Sequence, residues 1–448
     1  VTFDRDEHIH IVGVGGAGMS GVARLLLGRG CVVSGSDMND SPTLEALREA
    51  GATITIGHDS TNGAGATTVL WSPAVSTDHV ELEAARVAGA RLMTRSMLMA
   101  TLGTLYDVVG LTGTHGKTTA TSMMAHVMAA AGRDAGRLLG TDVRGVGANG
   151  EAGSTGQLVV EVDESYGTFA TLHPAALGLL NVEADHLDHY GDLASLEGAF
   201  VALVERTAGP VVVWNDDPGA ARVASRTARR VRTVGRLGGD WLVTDEELSR
   251  DGARFTVTGP TTLSIVLAVT GAHNVANAAV VAVLALELGI AAEAVAAGLR
   301  AFTGAPRRFE RHGQWRGMDV IEDYAHLPGE IAATIACARD LGYQRIACVF
   351  QPHRVTRTLS VGDDFAPAFD GADVVVVTDL YTAGEANPTG VTGERVASPL
   401  RQRRDGVHFA PSFTQAITVL SSVDADALLV LGAGDIGTII NDLPGRTS

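Results

Sequence analysis

At 448 residues the chain has room for about three domains of roughly 150 residues each. Apolar residues make up 46% and charged residues 19%, which excludes a disordered chain and allows a large core. A formal charge of −17 repels nucleic-acid phosphates, so no nucleic-acid partner is expected. The 34 basic residues are 33 arginines and one lysine, Lys117. Exposed positive charges are nearly interchangeable. The one lysine is therefore expected where a compact ammonium cannot be exchanged for a planar guanidinium.

Cys31, Cys337 and Cys348 are widely spaced and form no Cys-x-x-Cys pair, which argues for a reducing compartment. The acidic opening residues, Asp4, Asp6 and Glu7, are unlike a secretory signal. Val275 to Leu299 is the most apolar stretch. It carries Asn277, Glu287 and Glu293, and reads as a buried helix rather than a membrane span. A cytoplasmic protein with no membrane partner is expected.

The first predicted strand, Ile9 to Val14, runs into Gly15-Gly16-Ala17-Gly18 and a helix through Leu27. Gly13-Val14-Gly15-Gly16-Ala17-Gly18 fits Gly-x-Gly-x-x-Gly, and Asp37 follows about 20 residues on, as in a dinucleotide fingerprint with an acid on a ribose. Further strands are predicted at Ala52 to Ile56 and Thr68 to Leu70.

A second strand, Asp107 to Leu111, enters Gly113-Thr114-His115-Gly116-Lys117-Thr118-Thr119 and a helix through Ala131. This is the logic of a nucleotide phosphate loop. Backbone N–H groups surround phosphates, the lysine reaches the terminal ones, and Thr118 offers a hydroxyl to Mg²⁺. Strands follow at Leu158 to Val162, Leu177 to Leu180 and Val211 to Trp214. In a parallel sheet the strand ends converge, which brings Glu164 and His186 towards the loop. Trp241 to Thr270 alternates polar and apolar residues around Asp251-Gly252 and Gly259-Pro260. That predicts antiparallel hairpins in a small appended sheet. Asn274 and Asn277 share one face of the next helix and either cap it or bond an adenine edge.

A third strand, Val320-Ile321, leads through Asp323-Tyr324-Ala325-His326 into a helix from Gly329 to about Asp340. Strands follow at Ile346 to Phe350, Val374 to Thr378 and Ala427 to Leu431. The prediction is an α/β protein of three domains with mostly parallel, doubly wound sheets. The N-terminal domain (1–106) is Rossmann-like, the central one (107–304) is a phosphate-loop ATPase domain, and the C-terminal one (305–448) is again Rossmann-like.

Several segments together resemble the Mur ligases of peptidoglycan synthesis, and among them the branch that adds alanine. They are Gly15 to Gly21, Gly113 to Thr119, Glu183-Ala184-Asp185-His186, His273-Asn274-Val275-x-Asn277, Arg307-Arg308-Phe309, Asp323 to His326, Gln351-Pro352-His353-Arg354 and Gly432 to Ile436. They occur in order across nearly the whole chain. The resemblance implies an ATP-dependent ligase that joins an amino acid to the lactyl carboxylate of UDP-N-acetylmuramate through an acyl phosphate, releasing ADP and phosphate. It implies Mg²⁺ or Mn²⁺ as cofactor and a monomer or weak dimer.

The resemblance also implies roles by position. ATP is held by Gly113, Thr114, His115, Gly116, Lys117, Thr118, Thr119, His273, Asn274, Asn277 and Arg308. Metal is held by Thr118, Glu164 and His186. The UDP substrate is held by Gly15, Gly16, Ala17, Gly18, Met19, Ser20, Asp37, His58, Ser72 and Pro73. Tyr324, His326, Arg354 and Arg357 lie on the amino-acid side. Lys117, Glu164, His186, Arg308, Asp323 and His326 form the catalytic set. Related ligases that add later amino acids use a carbamylated lysine on the metal. With one lysine, already in the phosphate loop, this chain fits the alanine-adding branch or its peptide-recycling relative. Leu327, Gly329, Tyr166 and Val355 differ from that branch's usual His, Thr, Asp and Tyr. Three other readings stay open: a divergent member using another amino acid, a catalytically degenerate nucleotide-binding protein, and a dinucleotide oxidoreductase. The last would leave Lys117 unexplained.

Overall fold

A computed structural model of the chain describes residues 3–72 and 75–447. The fold is three-domain α/β, with three sheets in chain order. The first contains β1 (His8–Val12), β2 (Val32–Asp37), β3 (Thr53–Ile56), β4 (Thr68–Trp71) and β5 (Arg91–Thr94). It is wholly parallel, in the order β3-β2-β1-β4-β5. The order reverses between β1 and β4, and such a reversal opens a crevice at the strand ends. Gly13, after β1, lies beside Ser72, after β4: a Cβ on Gly13 would sit 3.3 Å from that of Ser72.

The second sheet contains β6 (Asp107–Thr112), β7 (Gly136–Leu138), β8 (Gly150–Glu151), β9 (Gln157–Val162), β10 (Ala176–Leu179), β11 (Val211–Trp214), β12 (Arg232–Gly235), β13 (Trp241–Ser249), β14 (Gly252–Thr258) and β15 (Thr262–Leu267). Their order is β15-β14-β13-β12-β11-β10-β6-β9-β7-β8. The central strands β6, β9, β10 and β11 are parallel and almost wholly buried, as expected of continuous apolar runs covered on both faces.

Two sequence expectations are corrected here. The hairpins of Trp241 to Thr270 exist, but they form no separate sheet: β13 pairs with β12 in parallel and extends the central sheet. Alternation reports that one strand face is exposed; it does not report which edge the strand joins. Val275 to Leu299 is two helices, Ala272–Glu287 and Ala292–Ala301. Gly289, with φ +73°, takes the left-handed conformation that ends the first.

The third sheet contains β16 (Glu310–Trp315), β17 (Met318–Asp323), β18 (Ile346–Phe350), β19 (Val374–Val377), β20 (Val407–Phe409) and β21 (Ala427–Leu431), in the order β16-β17-β21-β18-β19-β20. All pairs are parallel except β16 with β17. The chain divides into two compact units. One comprises Val1–Glu247, Gly252–Val269 and Asn274–Ala305, and the other Leu248–Asp251, Thr270–His273 and Pro306–Ser448. The first two sheets thus share a unit. Among the described residues no helix is long and apolar enough to cross a membrane.

Candidate active site

The first glycine turn joins β1 to the helix Ala17–Gly28. The Gly15 N–H donates to Asp37 Oδ2 at 2.9 Å, so Asp37 at the end of β2 holds the turn. A Cβ on Gly15 would meet that same oxygen at 2.9 Å, so the approach needs glycine. His58 is part of a buried network. Its Nδ1 lies 2.8 Å from Glu81, which also accepts from His10, Ser36 and Asn62. Burial pushes the Glu81 carboxyl up, but these hydrogen bonds outweigh it and hold it near 2. Two positions assigned to the UDP substrate face inward instead. Met19 packs in the core, and the buried Ser20 hydroxyl is bonded by Asn149 Nδ2 at 3.1 Å. The apolar face of the helix claims both side chains, so only their backbone is available to a ligand. Pro73 lies outside the described residues.

The second turn is built around Lys117. Gly113 (φ +141°) packs on the backbone of Asn181, and Gly116 (φ +79°) lies so close to the buried Asn277 amide that a Cβ would come within 2.6 Å. Asn181 clamps the loop at His115, accepting from its N–H at 2.7 Å and donating to its carbonyl at 3.1 Å. The His115 ring lies 3.1 Å from Glu183, and the Thr114 hydroxyl accepts from Glu183 N–H at 2.8 Å. Lys117 Nζ donates to the carbonyls of Gly113 and Thr114 at 2.8 and 3.1 Å, and to both Glu164 oxygens at 3.0 and 2.8 Å. Asp163 is 3.8 Å away.

Burial alone would lower the Lys117 pKa, but Glu164, Asp163 and Glu161 raise it and keep the ammonium charged. Burial, with Asp163 alongside, pushes the Glu164 carboxyl up to about 7, against the pull of Lys117. Asp163 is held below its ordinary range. Burial raises it, but Lys117, Ser165, Arg95 and His186 together outweigh that.

Glu164, Asp185 and His186 bring ligand atoms within 4.8 Å of one another. Glu164 and His186 thus meet at the strand ends beside the loop, and Asp185 joins them. Thr118 Oγ1 and Glu161 both crowd the position a Cβ would take on Gly140, at 2.8 and 2.6 Å. The Thr119 side chain is buried in the helix Lys117–Ala130. His186 and Tyr166, both with φ +52°, flank the cluster in left-handed conformations uncommon for such side chains.

In the other unit, Asp323 ends β17 and accepts from the N–H groups of Phe309 and Ala325, each at 2.8 Å. Burial raises its carboxyl to about 6, opposed by Arg308. Arg307 and Arg308 both place their guanidinium carbon 4.9 Å from the Tyr324 ring centre. Arg307 also donates to Glu322, Gly432 and Gly434. It is therefore a structural tie, while Arg308 lies beside the acid. Tyr324, His326, His353 and Tyr381 follow one another as ring contacts between 5.4 and 5.8 Å. Arg357 donates to His353 Nδ1 at 3.3 Å, and Arg354 to Glu385 at 2.6 Å. His273 is exposed, with its ring close to Gly271, whereas Asn274 is buried.

Three family descriptions match the chain in succession: the Mur ligase family catalytic domain over residues 8–106, the Mur ligase middle domain over 111–285, and the Mur ligase glutamate ligase domain over 307–434. The UDP-N-acetylmuramate–L-alanine ligase of Kineococcus radiotolerans is 42% identical over 96% of this chain and 94% of its own. That of Burkholderia ambifaria is 39% identical over 97% and 96%. The chain belongs to the Mur ligase family. Among solved Mur ligases, the UDP-N-acetylmuramate–alanine ligase of Thermotoga maritima superposes with a TM-score of 0.81 at 29% identity, covering 97% of this chain and 98% of its own. A murein peptide ligase from Psychrobacter arcticus superposes with a TM-score of 0.73 at 24% identity, over 99% of this chain and 100% of its own, a likeness of fold.

In this Mur ligase two of the four unusual residues are packing residues. Leu327 and Val355 are buried at the starts of the helices Pro328–Asp340 and Val355–Val361. Gly329 is exposed in the first turn of the former, and Tyr166 is exposed beside Glu164. Sequence reasoning missed Asn181, Asp185, Glu161 and His353. Asp185 and His353 each adjoin a residue that was singled out. Asn181 and Glu161 sit in quoted strand-end segments, but only the fold shows that they face the loop.

Proposed function

We propose that this chain is an ATP-dependent ligase that joins L-alanine to the lactyl carboxylate of UDP-N-acetylmuramate in the cytoplasm, with release of ADP and phosphate. The observation that carries this reading is the setting of Lys117. The chain's single lysine is engaged at the phosphate loop, so the residue that other Mur ligases carbamylate has no counterpart here. Full-length relatives at 39–42% identity bear the alanine-adding name.

The loop N–H groups and Lys117 bind the ATP phosphates. A phosphate that takes the ammonium leaves Glu164 without its partner, in a buried place where an unpaired carboxylate is costly. The donors Thr118, Glu164, Asp185 and His186 suit a hard divalent cation such as Mg²⁺, carboxylate and hydroxyl oxygens above all. Such an ion supplies charge neutralisation on the phosphate oxygens. Lys117 serves the same developing charge as the γ-phosphoryl group passes to the lactyl carboxylate. The amine then attacks the acyl carbon and phosphate leaves. Asp323 and His326 serve the amine side, and the raised Asp323 carboxyl is suited to accept its proton near neutral pH.

A panel of amino acids with UDP-N-acetylmuramate and ATP, read as ADP release, tests the choice of amine. L-Alanine is expected to give the highest kcat/KM; a tenfold preference for another amino acid would overturn that choice.

A further inference from the structure

The helix Ala17–Gly28 leaves the first glycine turn and lies against the β7–β8 edge of the second sheet, over residues 138–152 and within the same compact unit. The two meet through small residues. A Cβ on Gly150 would fall onto the Gly21 carbonyl, and one on Gly28 would sit 3.1 Å from that of Ala152. Polar groups complete the contact. Asn149, 3% exposed, donates from Nδ2 to the buried Ser20 hydroxyl at 3.1 Å and accepts from Arg24 Nη1 at 2.7 Å. Asp142 Oδ1 accepts from the same Arg24 nitrogen at 2.6 Å and from the Asn149 N–H at 2.8 Å. No sequence motif singles out Arg24, Asp142 or Asn149.

The same segment also reaches the second turn. Near its start, the Gly140 N–H donates to Glu161 Oε2 at 3.0 Å, and the missing Gly140 side chain leaves room for Thr118 Oγ1. The segment closes on itself at its base, where the Leu139 N–H donates to the Asn149 carbonyl at 2.7 Å. One short stretch of chain thus touches both the helix that opens at the first turn and the threonine that follows Lys117. Its bonds to that helix are shielded from water: Asn149 and Ser20 are buried and the Arg24 side chain is 12% exposed. Small residues bring two backbones close without fixing their register. A buried amide bonded through both its nitrogen and its oxygen does fix it.

We propose that Asn149 is a positioning residue for phosphoryl transfer. With Arg24 and Asp142 it holds the helix Ala17–Gly28 in one register on residues 138–152, and so sets the distance from the first glycine turn to the phosphate loop. The inference rests on the function proposed above, in which the acceptor's nucleotide sits at the first turn and ATP at the second. A lactyl carboxylate oxygen then attacks the γ-phosphorus and ADP leaves, which requires an approach of about 3–3.5 Å. A slip of about 1 Å between the turns costs the rate about 100-fold, while each turn still binds its own ligand. Asn149 acts through the helix and touches neither ligand.

Steady-state kinetics of the full chain with UDP-N-acetylmuramate, ATP and L-alanine, with separate calorimetric titrations of UDP and of ATP, test it. The variants are Asn149→Ala, Asp142→Ala and Asp142→Asn. Asn149→Ala is expected to lower kcat by about 10- to 100-fold and to leave the UDP and ATP affinities unchanged. Asp142→Ala removes one acceptor from Arg24 and the partner of the Asn149 N–H, and should lower kcat by a smaller factor. Asp142→Asn keeps an oxygen in place for both donors and should restore it. A residue that only stabilises the fold would lower the unfolding midpoint and leave the kcat of the folded enzyme unchanged. Wild-type kcat in Asn149→Ala therefore overturns the inference. So does a loss of UDP or ATP affinity as large as the loss of rate, which would make Asn149 part of a binding site. If Asn149→Ala does not fold, the Asp142 pair decides, and equal kcat in Asp142→Ala and wild type overturns the inference. If wild type itself releases no ADP with UDP-N-acetylmuramate and any amino acid, the proposed function has failed and the inference falls with it.

Discussion

The two glycine-rich turns of the first unit share a plan and differ in their electrostatics. Each follows a central parallel strand and opens a helix, and the second carries a cation, Lys117. At the second turn the cation is already neutralised: Lys117 holds both oxygens of Glu164 and two loop carbonyls. At the first turn the loop itself meets a carboxylate: the Gly15 N–H donates to Asp37 Oδ2 at 2.9 Å. A paired cation must exchange its carboxylate for phosphate, so the incoming ligand does best when a cation arrives with it to compensate Glu164. A ligand that meets backbone N–H groups at the first turn displaces no buried ion pair. On the roles proposed above, the difference suits one turn to a metal–nucleotide and the other to a nucleotide diphosphate.

Several measurements bear on that comparison, beginning with the largest expected effect. Lys117→Arg should lower ligation by about 1,000-fold or more, because a planar guanidinium cannot replace the compact ammonium within the loop. UDP affinity should remain, measured by titration, since that ligand uses the other turn. Glu164→Gln should lower kcat by about 100-fold and raise the Mg²⁺ concentration needed for half-maximal rate, again without altering UDP binding. If UDP binding to wild type proves to need Mg²⁺, the contrast between the turns fails. Asp37→Ala frees the Gly15 N–H and should weaken UDP by about 5-fold, a smaller effect than either.

The smallest effect concerns the second unit, where paired and unpaired charge can be compared through acid stability. His353 is held near 3, chiefly by burial and further by His326, Arg357 and Arg354, with Glu385 opposing. A histidine whose folded pKa lies below its unfolded value favours the folded state only while neutral. Its contribution is therefore intact above about pH 6.5 and is lost as pH falls from there towards 3. His353→Asn should flatten that part of the stability profile, followed by denaturant unfolding at pH 4, 5 and 7. A profile as steep as wild type would assign the acid sensitivity elsewhere.

Much of this was legible in the sequence where one local pattern sufficed. Val211–Trp214, Ile346–Phe350 and Ala427–Leu431 are strands to the residue, because four or five buried apolar residues between turn signals leave little other choice. The meeting of Lys117, Glu164 and His186 followed from strand ends converging in a parallel sheet. What was not legible depends on distant chain segments. Glu310–Trp315 reads as a polar stretch and becomes a strand only through pairing with β17. The hairpins could be drawn but not joined to the central sheet. Arg95 is one arginine among 33, and only the fold shows that its guanidinium lies over Gly18, 77 positions earlier in the chain. Met19 and Ser20 stood in a glycine motif, but the helix turned their side chains inward.

The central claim is ligation through an acyl phosphate, and isotope transfer tests it most directly. UDP-N-acetylmuramate labelled with ¹⁸O in the lactyl carboxylate is incubated with ATP, L-alanine and the wild-type chain, and the released phosphate is analysed by mass. The account predicts one carboxylate oxygen carried into each phosphate, in step with the amide product. Amide formation with unlabelled phosphate would contradict it.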